Sequence, residues 1–167
     1  MSEYLDEFGR YNPAVIGIVL AIDPIILPAI KKELVEAIKE MDGDDRCYLY
    51  HPDNTEMPRW TGETIGKIAN YKQPRNMNIG DAVQQVSDVL SFEDDDARKY
   101  GFVFYDYYDV NFDFRLKRAL KSTDVDFAFY NLDRDVLSVE ESIFLEHIAG
   151  LSDYILKTYK GDNYGKK

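Results

Sequence analysis

The segment Ala14-Val-Ile-Gly-Ile-Val-Leu-Ala-Ile22 carries no polar side chain, and it is bounded by Pro13 on one side and Asp23-Pro24 on the other. A strand with one wet face alternates apolar and polar residues. This run does not alternate, and it is rich in β-branched residues, so it reads as a strand buried on both faces. Such strands sit in the middle of parallel sheets with helices above and below. The run is far shorter than the roughly 20 residues needed to cross a bilayer, and no longer apolar stretch exists in the chain. The acidic start Met1-Ser-Glu-Tyr-Leu-Asp-Glu-Phe8 does not resemble a targeting peptide. The expectation is a cytoplasmic protein without membrane contact.

The segments that follow support a layered α/β fold. Pro28 suits a helix's first turn. Ile30, Leu34, Ala37, Ile38 and Met41 then recur at helical spacing, and Gly43 marks a stop. Arg46 to Tyr50 reads as a second strand and residues 52–62 as a loop. Glu63 to Tyr71 fits a short edge strand or a turn of helix, and Lys72 to Asn78 a polar loop. Asp81 to Phe92 is predicted helical, with Val83, Val86, Val89 and Leu90 on one face. Tyr100 to Tyr105 is predicted as a strand ended by Asp106. Phe112 to Ser122 is predicted as a helix burying Leu116, Ala119 and Leu120, and Val125 to Tyr130 as a strand. Ser138-Val-Glu-Glu141 matches a capping box opening a helix that Gly150 closes. Asp153 to Thr158 is predicted as a last strand. Alternating strands and helices with short connections imply a three-layer fold, a mostly parallel central sheet flanked by helices. The expected organisation is one domain over 1–167, with a core at about 13–159 and frayed termini.

Charge narrows the partners. Lys and Arg number 20 and Asp and Glu 31, for a formal charge of −11. That balance argues against direct nucleic-acid binding, which relies on cations displacing counterions from phosphates. It leaves open an acidic inhibitor that imitates the phosphate line of DNA. Glu93 to Asp96 with Asp42, Asp44 and Asp45 would form such a face, although acidic runs are more often simply solvated. The single cysteine, Cys47, excludes an intrachain disulfide and a four-cysteine zinc site. It falls inside a predicted strand and is expected to pack as a small apolar residue. No cofactor is expected: Gly62-x-x-x-Gly66 does not continue into the Lys-Ser/Thr pair of a phosphate loop. The high aromatic load, 13 Tyr, 9 Phe and 1 Trp, suggests that some rings serve an interaction surface.

In parallel sheets ligands bind beyond the carboxyl ends of the strands. Asp23 and Asp106 fall there. Two converging carboxylates suit a divalent cation or an acid/base pair. Both residues are equally suited to capping the adjacent helix starts.

Several segments together resemble a von Willebrand factor type A domain. Ala14 to Met41 is similar to that family's first strand, metal loop and first helix. Asn76-Met-Asn-Ile-Gly-Asp-Ala-Val83 is similar to its threonine-containing loop and following helix. Phe102-Val-Phe-Tyr-Asp106 resembles the strand ending in Thr-Asp-Gly, Val125 to Tyr130 the penultimate strand, and Leu145 to Leu156 the last helix and strand. The family's metal-ion-dependent adhesion site needs an Asp-x-Ser-x-Ser loop, a threonine and a second aspartate. Asp23 and Asp106 match the two aspartates. Ile25 and Leu27 stand at the serine positions, Met77 at the threonine, and Tyr107 replaces the glycine after Asp106. Three of five ligand side chains therefore lack oxygen, whereas hard cations want about six oxygens. The resemblance thus implies a protein-recognition scaffold with a degenerate metal site.

The resulting expectation is a non-enzymatic module that binds a protein partner, without a metal, through Asp23, Ile25, Leu27, Met77, Asn78, Asp106, Tyr107 and Tyr108. Ile25 and Leu27 would either form an apolar patch on that rim or fold inward to complete the core. The contrasting reading is a metal-assisted hydrolase using Asp23 and Asp106.

Overall fold

The structure, a computed structural model, describes residues 13–22, 24–41, 45–53, 56–72, 74, 77–93, 97–106, 112–132 and 149–160. The expected capping box at Ser138 to Glu141, the stop at Gly43, and residues Asp23, Tyr107 and Tyr108 lie outside them.

The apolar run forms β1 (Ala14–Ala21), every residue of which is buried. β2 (Arg46–Leu49) pairs parallel to it on one side and β4 (Arg98–Tyr105) on the other. β5 (Asp126–Asn131) adds in parallel beyond β4. The short β3 (Arg59–Trp60) closes the opposite edge, antiparallel to β2. The five-stranded order is β3-β2-β1-β4-β5.

Successive residues of β1 serve opposite cores. Ala14, Ile16, Ile18 and Leu20 meet Ile30, Leu34 and Ile38 of α1 (Leu27–Lys39), Ile68 of α2 (Thr61–Ala69), and Leu151 and Ile155 of α5 (Leu151–Lys160). Val15, Val19 and Ala21 meet Val83, Val86 and Leu90 of α3 (Ile79–Ser91), with Leu116 and Ala119 of α4 (Phe112–Lys121). The sheet is thus covered on both faces by helices.

A strand that is apolar on both sides cannot set its register by hiding one face, because a one-residue slip exposes nothing polar. Gly17 supplies what the pattern lacks. It lies opposite Gly101 in the β1–β4 ladder. A Cβ at Gly17 would collide with the Val86 side chain of α3, and one at Gly101 with the ring of Phe127. The paired glycines form a notch into which α3 and the Phe127 ring settle, and a slip would drive Ile16 or Ile18 into Val86.

Polar ties gather at the amino-terminal ends of the strands. Fully buried Asp45 accepts the Ala14 amide on Oδ1 at 2.7 Å. Glu93, just past α3, is buried in an ion pair with Arg46. Buried Lys99 reaches Asp124 Oδ2 at 3.0 Å. The expected acidic, solvated face is therefore corrected at Asp45 and Glu93, which are internal; Asp42, Asp44 and residues 94–96 lie outside the described residues.

Three element assignments also change. Residues 153–158, expected as a strand, belong to helix α5. Leu151 and Ile155 are buried four apart, and the Thr158 hydroxyl donates to the Tyr154 carbonyl at 3.1 Å, one helical turn back. Residues 63–69, expected as a short edge strand or a turn of helix, belong to helix α2, which starts at Thr61, while the expected loop 52–62 contains β3. Leu120, expected to be buried, is 37% exposed, because among its described side chains α4 turns only Leu116 and Ala119 fully inward.

Gly17→Val is expected to lower unfolding free energy by about 1–3 kcal/mol, the usual cost of overpacking a core, read as a lower denaturant midpoint with unchanged slope. A midpoint equal to wild type would show that the notch does not constrain the packing of α3.

Candidate functional site

The strand order reverses direction between β1 and β4, and in open α/β sheets such a switch point leaves a crevice beyond the strand carboxyl ends. The register places Ala21 opposite Tyr105, so Ile22 and Asp106 leave the sheet as neighbours. The ion pair between Glu93, after the last turn of α3, and Arg46, at the start of β2, anchors that end of the helix to the amino-terminal side. The opposite end of α3, with Met77 and Asn78, therefore faces the same rim as Asp106 and the turn 24–26.

Each side chain there has a distinct local role. Ile25 stands out on the turn before α1, 85% exposed. Leu27 opens α1 and is buried in the core beneath it. Met77 is half-buried and packs against the α3-side core. Asn78 caps α3, its Oδ1 accepting the Asp81 amide at 2.9 Å. Asp106 is half-buried. Behind Asp106, the Leu132 amide donates to the Tyr105 carbonyl at 2.6 Å, which returns the chain over the end of β4. Of the expected patch, Ile25 is thus on the surface, while Leu27 has folded into the core.

Among the described residues, the side chains at this rim offer a divalent ion few oxygens. Among the positions corresponding to the resembled metal site, Ile25 and Met77 carry no oxygen, and Leu27 is committed to the interior. Among the described residues no group of three or more His, Cys, Asp or Glu converges. No helix among them is long and apolar enough to cross a membrane.

Beside the rim lies a feature that sequence reasoning missed. A groove of about 530 Å³ opens between the end of β2 and α2, with Leu49, His51 and Tyr71 among its walls. The Tyr71 hydroxyl donates to the Leu20 carbonyl at 3.1 Å, so the groove shares the carboxyl end of the sheet. Lys67 crosses to Glu56 at 2.5 Å. His51-Pro52 and Tyr71 were legible only as strand and helix ends, since residues 49–56 and 63–72 meet only in the folded chain.

Cys47 is not a nucleophile here. Burial, and secondarily the charge of Asp45, push its thiol up to about 12 against an opposing hydrogen bond with Thr64, and a thiol held protonated is unreactive. Comparison of the chain with protein-family models and with curated proteins returned no match.

Burial likewise raises the phenols of Tyr48, to about 12, and of Tyr71. In each case the folded state holds its proton to higher pH than the unfolded chain does. Stability from these groups is therefore complete below the unfolded values, about 8.5 for Cys and 10 for Tyr, and is lost as pH rises through them toward the folded values. The denaturant midpoint is expected to fall steadily above about pH 9, with part of the tyrosinate absorbance appearing only on unfolding. Full tyrosinate absorbance from a still-folded chain would contradict the assignment.

Proposed function

We propose that this protein is a non-enzymatic binding module, von Willebrand factor A-like, that holds a protein partner at the carboxyl-end rim of its sheet without a metal ion. The observation that carries the reading is Ile25, an apolar side chain 85% exposed on the turn leading out of the central strand. It stands at the switch point where such sheets receive ligands, with Asn78 and Asp106 on the same rim. An apolar centre ringed by polar groups is the anatomy of a protein interface. Asp23, Tyr107 and Tyr108 adjoin it in sequence and complete the proposed contact set. Leu27 and Met77 support the rim from within. The family likeness rests on the segments up to Tyr130, because residues 151–160 form a helix where the resemblance implied a strand.

The partner is captured from a lysate of the native host, with wild-type and Ile25→Glu proteins as parallel baits and the retained proteins quantified. Ile25→Glu is expected to retain at least about tenfold less of the specific partner, equivalent to about 1.4 kcal/mol, with an unchanged melting temperature. Equal retention by both baits would refute a rim centred on Ile25. Calorimetric titration with magnesium, manganese and calcium is expected to give no saturable heat. A micromolar site would overturn the metal-free part of the reading.

A further inference from the structure

The groove between β2 and α2 differs from the rim in its chemistry. Its volume, about 530 Å³, lies within the roughly 300–1,000 Å³ of small-molecule sites, which combine an apolar lining with a few convergent polar groups. Leu49 and the Tyr71 ring supply apolar wall. At Gly66 the wall has no side chain, and a Cβ there would meet nothing within 4 Å.

The charges in the groove are spent unequally. Its two carboxylates are already engaged. Glu56 is held by Lys67 at 2.5 Å and by Arg59 at 3.6 Å, and Glu63 by Arg59 at 3.3 Å. The Lys67 hydrogen bond, foremost, lowers the Glu56 pKa, as expected of a carboxylate kept ionised by its partner. Lys72 lines the same groove and has no partner among the described residues. His51 accepts the Asp53 amide on Nδ1 at 3.2 Å, with the Asp53 carboxylate 3.9 Å from the same nitrogen, and its Nε2–H is left as a donor. The Tyr71 hydroxyl is turned away to the Leu20 carbonyl. Besides the Asn70 amide, which can donate or accept, what remains uncommitted is donor capacity, an ammonium and an imidazole N–H. A cation entering the groove finds carboxylates already neutralised, whereas an anion finds open donors.

We propose that this groove is a binding site for a small organic carboxylate with a flat apolar body. The carboxylate takes donors from Lys72 and His51, and the apolar body lies against Leu49 and Tyr71 in the space left open at Gly66. The site stands independently of the rim and of any protein partner there.

The test is an amide NMR titration of the whole chain with benzoate, with inorganic phosphate and tetramethylammonium as parallel probes at constant ionic strength. Benzoate is expected to give saturable shifts at Gly66, Asn70 and Lys72. Lys72→Ala is expected to weaken it about tenfold or more, the loss typical of one charge-assisted hydrogen bond. Gly66→Leu fills the open space and is expected to abolish binding without unfolding the chain, since leucine favours helix over glycine; its retained amide spectrum confirms folding. The proposal is overturned if benzoate shifts do not saturate, if neither substitution weakens them, or if tetramethylammonium produces them instead. Phosphate binding as tightly as benzoate would equally overturn it, because the apolar walls would then contribute nothing.

Discussion

The placement of the rim depends on a strand that is greasy on both sides yet cannot slide. β1 offers one set of aliphatics to α1, α2 and α5 and the other to α3 and α4. Fully burying each of its larger side chains contributes roughly 1.5–3 kcal/mol, and β1 is the strand that joins the two cores. That same uniformity leaves its register undetermined by hydrophobicity alone. The facing glycines Gly17 and Gly101 resolve the ambiguity sterically, since only there do Val86 and the Phe127 ring fit against the sheet. Once α3 is seated on Gly17, its first turn, with Asn78, is committed to the carboxyl end of the strands.

The two ends of the sheet divide their duties. At the amino-terminal end the ties are polar and largely buried: Asp45 to the Ala14 amide, Arg46 to Glu93, and Lys99 to Asp124. Buried pairs of this kind contribute little net stability, because desolvation offsets attraction, but breaking one leaves a stranded charge at several kcal/mol. Their effect is to penalise any alternative arrangement of β2, α3 and β4. The carboxyl end has its own buried tie, from the Tyr71 hydroxyl to the Leu20 carbonyl. Its described ion pairs, such as Arg115 with Asp81 at 3.0 Å, lie between largely exposed groups, where a pair contributes only about 0–1 kcal/mol.

Legibility in the sequence followed the strength of the local period. α1 and α3 were readable because their apolar residues fall at helical spacing, and β1 because its apolar run is unbroken. α2 was not, since its buried stripe is Thr61, Thr64 and Ile68, two of them polar, and Gly62 and Gly66 obscure the helical signal. α5 was misread because Tyr154, Ile155 and Leu156 are adjacent apolar residues that suit a strand as well as a helix. Leu151, which decides the period with Ile155, lies further back. Asp45 and Glu93 read as solvated because their burial is imposed by distant segments. The groove was invisible for the same reason: Lys67 and Glu56 stand 11 residues apart in the chain, yet 2.5 Å apart in space. At the rim, Asp106 and Ile25 were anticipated as strand-end residues, but the inward turn of Leu27 was one of two alternatives that the residue types alone could not separate.

That inward turn separates what stability explains from what it does not. The residue preceding α1, Ile26, makes no side-chain cap, and the helix has no acidic residue in its first turn. A serine, threonine or aspartate cap would typically contribute about 1 kcal/mol. Leu27, 6% exposed at the start of the same helix, returns roughly 1.5–3 kcal/mol by burial. Apolar character at position 27 therefore has a sufficient cause in the core, even at the cost of a poorly capped helix. Ile25 has no such cause. At 85% exposure it adds little to the interior, and a polar residue would serve the turn equally well. Single exposed aliphatics are common on protein surfaces, so exposure alone is a weak argument. At a switch point it marks an apolar position whose identity burial does not explain, and there the functional reading is concentrated.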